Sequence, residues 1–323
     1  MCLEHTEFRQ LLNSSAFAKQ ILALVVDEAH CIVQWGDSFR KDYALLGTLR
    51  AFVPAKVPIL ATSATLPPIV LAQVQKILHM DSQLTFYVNQ GTDRPNITWF
   101  VRRMKAAKSD LQSLSFLLPL DENGVLRPLK QTLVFFDNIR VSLDALKWFH
   151  EQLPVSMQDL VATYNSRRST NSKRIVLKDF QDGKVKILLT TEAAGMVSAT
   201  RFDLQHDVTY WQGCDMPHIE QVVQFLVPSS LSIWMQRAGR AGRNPNSNAR
   251  AILLVQPTVF QVVRPKSSDI QKLDEDVTEI KYRKDIEEGL REWIEGLACR
   301  REIFATFFND GVPRKGRSRS TTR

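Results

Sequence analysis

Six short runs along the chain are apolar almost without interruption, at residues 21–26, 57–61, 132–136, 185–189, 222–227 and 251–255. Each is rich in β-branched or aromatic residues and too short for a buried helix, so each predicts a strand covered on both faces, as in a parallel sheet. Between them, apolar positions recur at helical spacing in 69–79, 141–152 and 171–181. Alternating strands and helices predict an α/β fold of open parallel sheets, with functional residues at the carboxyl ends of the strands. A boundary is expected near Arg94, Pro95 and Asn96. It separates residues 1–96 from a second α/β unit, 97–265, and a charged, then helical segment, 266–323, with its helix at 286–308.

Composition changes this picture little. At 323 residues and 44% hydrophobic, the chain can bury about two ordinary cores. A net charge of +8 favours a polyanionic partner. Part of that charge sits in the tail, where Arg314, Lys315, Arg317, Arg319 and Arg323 accompany Gly, Ser and Thr. That composition predicts disorder: a solvated end, or a basic arm for nuclear targeting or phosphate contact. The four cysteines show no CxxC spacing, so neither a disulfide framework nor a complete zinc site is suggested, and reduced thiols fit a nuclear or cytosolic protein. No apolar run approaches the length of a membrane span, and Glu4, His5 and Glu7 are not the start of a signal peptide.

The chemistry collects at two motifs. The run 21–26 ends in Asp27, Glu28, Ala29 and His30, which sets two carboxylates at the rim of a sheet. One carboxylate there can hold Mg2+ through water and the other can orient an attacking water. Ser63, Ala64 and Thr65 follow the next strand, and their hydroxyls can hydrogen-bond from the nucleotide site toward a bound strand. Far along the chain, residues 236–243 read QRAGRAGR. Gly239 and Gly242 allow close backbone approach there, and Arg240 and Arg243 can reach a γ-phosphate. A solvated basic turn is the plainer alternative for this stretch.

The run DEAHCxxQWGxxFRxDY at 27–43, the Arg94-Pro95-Asn96 triplet and the arginine motif together resemble RecQ-type DNA helicases of superfamily 2. The resemblance covers roughly residues 1–257. It implies two RecA-like domains, the first incomplete here, and a motor that uses ATP and Mg2+ to move 3′ to 5′ on single-stranded DNA and separate duplexes in the nucleus. It also implies the roles of single residues. Asp27 would serve Mg2+ and Glu28 the water. Arg240 and Arg243 would reach across the interdomain cleft as fingers, with His30, Ser63, Thr65 and Gln236 coupling nucleotide to DNA. Trp35, Phe39 and Arg40 would sense single-stranded DNA, which suits aromatic stacking beside a guanidinium. Thr191 would touch the DNA backbone, and Gly195 and Asp215 would link DNA to nucleotide. Trp35 and Tyr43 as simple core residues remain the alternative. A DEAH-type RNA helicase shares the box but not the QWG run, and a non-catalytic DNA-binding remnant is the reading from another class.

Three departures from the family pattern set further expectations. A phosphate loop of the GxxxxGK[ST] kind occurs nowhere in the 323 residues, and only 26 residues precede Asp27. The sequence is therefore expected to begin inside the first domain, to leave apolar faces of that domain bare, and to turn over no appreciable ATP alone. Residues up to about 96 are expected to be poorly ordered or aggregation-prone in isolation, and 97–265 to fold by themselves. Second, Gly195 and Met196 are separated from Gly213, Cys214, Asp215, Met216 and Pro217 by residues 197–212. Deleting them restores GMGCDMP. Val197-Ser198 can be encoded from GTAAGT or GTGAGT and Gln212 by CAG, so an in-frame retained intron is expected over a genuine loop insertion. A spliced transcript carrying the insert would refute that. Third, Cys299, Arg300, Arg301 and Phe304 resemble the start of the family's zinc-binding subdomain, but no cysteine follows. One thiolate cannot supply four ligands, so no zinc is expected, and Cys299 as a buried helix residue is the plain alternative.

Overall fold

The computed structural model describes residues 6–35, 45–54, 56–119, 128–191, 216, 218–263 and 281–311. The chain divides into two compact units, one of residues 1–93 with 298–323 and one of residues 94–297.

In the first unit, β1 (Leu24–Val26) and β2 (Ile59–Ala61) pair in parallel, with Val25 opposite Leu60. One face of this pair rests on a core of Val26, Ala29, Ile32, Val74 and Leu78, the last two supplied by and just beyond the helix Pro68–Ile77. Proline at the first helical position suits a start whose amide has no intrahelical acceptor. On the other face Val25 and Leu60 are 65% and 54% exposed. Parallel strands are ordinarily covered on both sides, and these two side chains are exposed among the described residues.

The second unit is a six-stranded sheet, every pair parallel. Its strands are β3 (Ile97–Arg103), β4 (Thr132–Phe135), β5 (Val161–Tyr164), β6 (Ile187–Thr190), β7 (Gln221–Phe225) and β8 (Ala249–Val255). Their spatial order is β3-β8-β7-β4-β6-β5. The chain steps from β6 across β4 to β7, the kind of crossing that opens a crevice at the carboxyl ends. β4 and β6 are buried at every residue, which is why they are legible as unbroken apolar runs. The two strands absent from the sequence prediction, β3 and β5, are the two edges. β3 alternates buried or half-buried residues with exposed ones, so it carries no continuous apolar signal.

Helices returning between strands are held by ordinary local chemistry. Asn138 caps Ile139–Gln152 by accepting from the Arg140 amide at 2.8 Å, and Val141, Ala145 and Phe149 line its buried face. Ser169 caps Thr170–Gln181 and Ser230 caps Leu231–Ala238 in the same way.

The expected helix at 286–308 is two helices, Glu288–Glu295 and Arg300–Phe307. Gly296 ends the first in an extended conformation, and Cys299 begins the second. The break separates membership as well: through Leu297 the segment belongs to the second unit, and from Ala298 to the first. Trp293 explains the first assignment. It is buried, and it meets Trp99 and Trp234 edge to face at 6.0 and 5.8 Å. Thr92 and Asp310 explain the second, since the Thr92 amide and hydroxyl both donate to the Asp310 carboxylate at 2.7 Å. The Trp99, Trp234 and Trp293 contacts hold the helix Glu288–Glu295 to the second unit, and the boundary expected at residue 265 lies outside the described residues. No described helix is long and apolar enough to cross a membrane.

Candidate nucleotide and nucleic-acid site

In the first unit the carboxyl ends of β1 and β2 bring the DEAH residues against the end of the next strand. The ladder runs past the strands, with the Thr62 amide donating to Val26 O and the Ala29 amide to Thr62 O, each at 2.9 Å. This register puts the Thr62 hydroxyl 2.8 Å from Asp27 Oδ1, which also accepts from the Glu28 amide at 2.9 Å. Asp27 is exposed and oriented by two donors on one oxygen, and no described residue donates to the other. A single carboxylate suits magnesium held jointly with substrate phosphates, and Asp27 fits that role. Among the described residues no cluster of three acidic, histidine or cysteine side chains could hold a metal by itself.

Glu28 has φ of +51°, the left-handed region that a non-glycine residue adopts only under constraint. Such outliers gather at functional sites because surrounding structure over-determines them. Here the turn sets Glu28 Oε2 3.3 Å from Nδ1 of His30. His30 is buried, and its pKa is lowered to about 4 by desolvation, against which the nearby Asp27 charge pulls upward. It is therefore neutral at pH 7, and its contact with Glu28 is dipolar rather than an ion pair. Nδ1 lies 2.9 Å from Ser63 Oγ, whose own proton points at Thr65 O. That assigns Nδ1 as the donor and leaves Nε2 to accept from Cys31 Sγ at 3.5 Å. Thr65 takes part through its amide, 3.3 Å from Ser63 Oγ, while its buried hydroxyl has no hydrogen-bond partner among the described residues. Of the two expected hydroxyls, that of Ser63 bonds the DEAH box, through His30. Thr62, which sequence reasoning missed, makes a second such bond; its one signal was its place at the end of β2.

In the second unit, Thr191 follows β6 at the carboxyl edge and is nearly buried. The arginine motif breaks the carboxyl-end expectation. Gln236 lies on the helix Leu231–Ala238, which returns from the carboxyl end of β7, and residues 239–248 lead into the amino end of β8. The Gly242 amide donates to Ile219 O, just before β7, at 2.9 Å. Arg240 and Arg243 are half-buried on this amino-edge loop, opposite Thr191. A parallel crossover forces this, because the connecting helix must carry the chain back to where the next strand begins.

Arg237, between Gln236 and the glycines, has a role not separately assigned from sequence. Buried beneath the helix, its Nη1 donates at 2.6 Å both to Asp137 Oδ1, just after β4, and to Gln224 Oε1 within β7. Its guanidinium also stands 5.5 Å from the Phe135 ring. Trp35 closes the helix Cys31–Trp35; its side chain lies outside the described positions, as do Phe39, Arg40, Tyr43, Gly195, Asp215 and the insert 197–212. Cys299 is exposed at the start of its helix, contrary to a buried helix residue.

Comparison with known proteins agrees with both halves. Residues 2–74 match the DEAD/DEAH box helicase family and 119–245 the helicase conserved C-terminal domain. The fold resembles S. cerevisiae Dbp5 bound to RNA and ADP BeF3, with a TM-score of 0.50 at 17% identity over 72% of this chain and 52% of that one. These define the class of fold: two RecA-like domains, similar to those of helicases. Among curated relatives, the ATP-dependent DNA helicase RecQ of Haemophilus influenzae is 26% identical over 303 residues, 94% of this chain and 42% of the relative. The ATP-dependent DNA helicase Q1 of Rattus norvegicus is 27% identical over 241 residues, 73% of this chain and 34% of the relative. The chain is similar to RecQ-type helicases, and it spans between a third and a half of the length of these two relatives.

Proposed function

We propose that this chain carries the water-activating and arginine-bearing elements of an ATP-driven motor that moves 3′ to 5′ on single-stranded DNA and separates duplexes, in nuclear repair and recombination. The observation that carries it is the pair of side-chain bonds from the DEAH box to the end of β2, Thr62 to Asp27 and His30 to Ser63. They tie the carboxylate that would meet Mg2+ to the strand end that follows, so a change at one is felt at the other. When bound, Mg2+ would neutralise charge on the phosphates and Asp27 would orient it. Glu28 would accept a proton from the attacking water, and neutral His30 would hold the Glu28 and Ser63 side chains in register. Arg240 and Arg243 would balance charge developing on the γ-phosphate. Trp35, Phe39, Arg40 and Thr191 would contact the DNA strand, with Gly195 and Asp215 linking it to the nucleotide.

A second reading is supported by one observation, that GxxxxGK[ST] occurs nowhere in these 323 residues. Without its amides and lysine little cradles the β- and γ-phosphates, so these residues alone would bind DNA and not turn over ATP. Purified chain, titrated with labelled single-stranded DNA and RNA at several salt concentrations and assayed for DNA-stimulated phosphate release, separates the readings. Salt-sensitive DNA binding without turnover is expected. Robust DNA-stimulated turnover would refute the inactive reading, and preference for RNA would refute the DNA assignment.

A further inference from the structure

The chain enters the second unit by fastening itself to the arginine loop. Arg94, the first residue of that unit, donates from Nη1 to Gly239 O at 3.4 Å and from Nη2 to Ala241 O at 3.4 Å and Gly242 O at 2.6 Å. Asn96 Nδ2 lies 2.7 Å from Gly242 O, 3.2 Å from Asn244 O and 3.0 Å from Ser247 O. Two side chains thus serve five carbonyls of one irregular segment.

The fit is close from both directions. Gly242 has φ of +56°, and a Cβ there would stand 2.7 Å from Asn96 Nδ2 and 2.8 Å from the Ala249 Cβ. From the other side the Gly242 amide is held by Ile219 O, and the Ala249 amide by Asn96 O, both at 2.9 Å. The Arg94 guanidinium therefore spends its fork on backbone carbonyls, a geometry that a lysine ammonium cannot reproduce. Burial, and after it the charge of Arg243, lowers the Arg94 pKa, so the two guanidinium groups feel one another.

We propose that Arg94 and Asn96 are positioning residues: a clasp that holds the loop bearing Arg240 and Arg243 in one conformation before any anion arrives. The clasp rests on the reading that these arginines meet a nucleotide phosphate. It adds that their aim is set by the entering chain, 145 or more residues earlier in sequence. Pre-organised charges need no rearrangement when the anion binds, which is where such groups gain their effect.

Amide hydrogen exchange on the 323-residue chain, compared with Arg94→Lys and Asn96→Asp, tests the clasp without requiring turnover. We expect amides in 239–249 to exchange at least tenfold faster in both variants, while those of β4 and β6 keep wild-type rates. Unchanged loop exchange overturns the proposal. So does acceleration spread evenly over the sheet, which would make both residues general stabilisers. Inorganic tripolyphosphate added to the wild-type chain examines the underlying reading separately. Slowed exchange confined to the loop, and lost in Arg94→Lys, supports positioning. No effect on the wild type, with the loop still loosened in the variants, overturns the nucleotide role of the arginines and leaves the clasp standing.

Discussion

His30 Nδ1 and Ser63 Oγ stand 2.9 Å apart, 33 residues distant in sequence, and join the DEAH box to the turn after the neighbouring strand. The bond needs a proton on Nδ1, and burial keeps the ring neutral, which leaves Nε2 to accept from Cys31 Sγ. With Thr62 and Asp27 alongside, two parallel strands share a pair of polar ties at one edge.

Acid should loosen this arrangement. The folded pKa of His30, about 4, lies below its ordinary 6.5. Between those values the unfolded chain takes up a proton that the folded chain refuses, so this contribution is present above pH 6.5 and lost as pH falls toward 4. By pH 5 the loss is about 2 kcal/mol. Urea unfolding of the first unit at pH 7 and pH 5 should show that loss in the wild type, and a smaller one in His30→Gln. Equal losses would place the pH dependence elsewhere.

Arg237→Ala should cost the second unit about 3 kcal/mol. It strands the wholly buried Gln224 and removes the partner of Asp137. Asp137→Asn keeps an acceptor near a half-exposed position and should cost about 1 kcal/mol. Denaturant midpoints measure both, and Asp137→Asn as damaging as Arg237→Ala would contradict the order.

Gly242→Ala should destabilise by roughly 1–3 kcal/mol through its positive φ and the two close approaches of a new Cβ. The change should concentrate in the exchange rates of the arginine loop. Thermal stability and loop exchange equal to wild type would show that the loop relaxes freely.

Trp293→Ala should cost about 3–5 kcal/mol, the ordinary loss for a buried aromatic. It should also free the helix Glu288–Glu295, exposing faces of Trp99 and Trp234 that Trp293 meets edge to face. Proteolysis within residues 281–297, absent in wild type and rapid in the variant, would be the signature. Equal resistance would mean that other contacts hold the helix.

Read alone, the sequence marks the candidate site residues and the middle of the fold. DEAH, the Ser63 hydroxyl and the arginine motif are contiguous patterns, and β4, β6 and β7 are short apolar stretches because both their faces are buried. The edge strands β3 and β5 escaped: β3 alternates with exposed positions, and β5, though mostly buried, is four residues long with Ala162, Thr163 and Tyr164 in place of a continuous aliphatic run. The region 286–308 looked continuous because both of its helices are amphipathic; what divides them is Gly296 and the separate contacts of Trp293 and Asp310. Tertiary structure alone decided that Thr62 holds Asp27, that Arg237 braces the sheet, that the arginine loop lies at the amino edge, and that Arg94 and Asn96 grip it. The physical reason is common to these cases. Helical and strand periodicity record which side of a local element meets the core, whereas a side chain bonded to a carbonyl nearly 150 residues away depends on strand order and register. Those are properties of the assembled sheet.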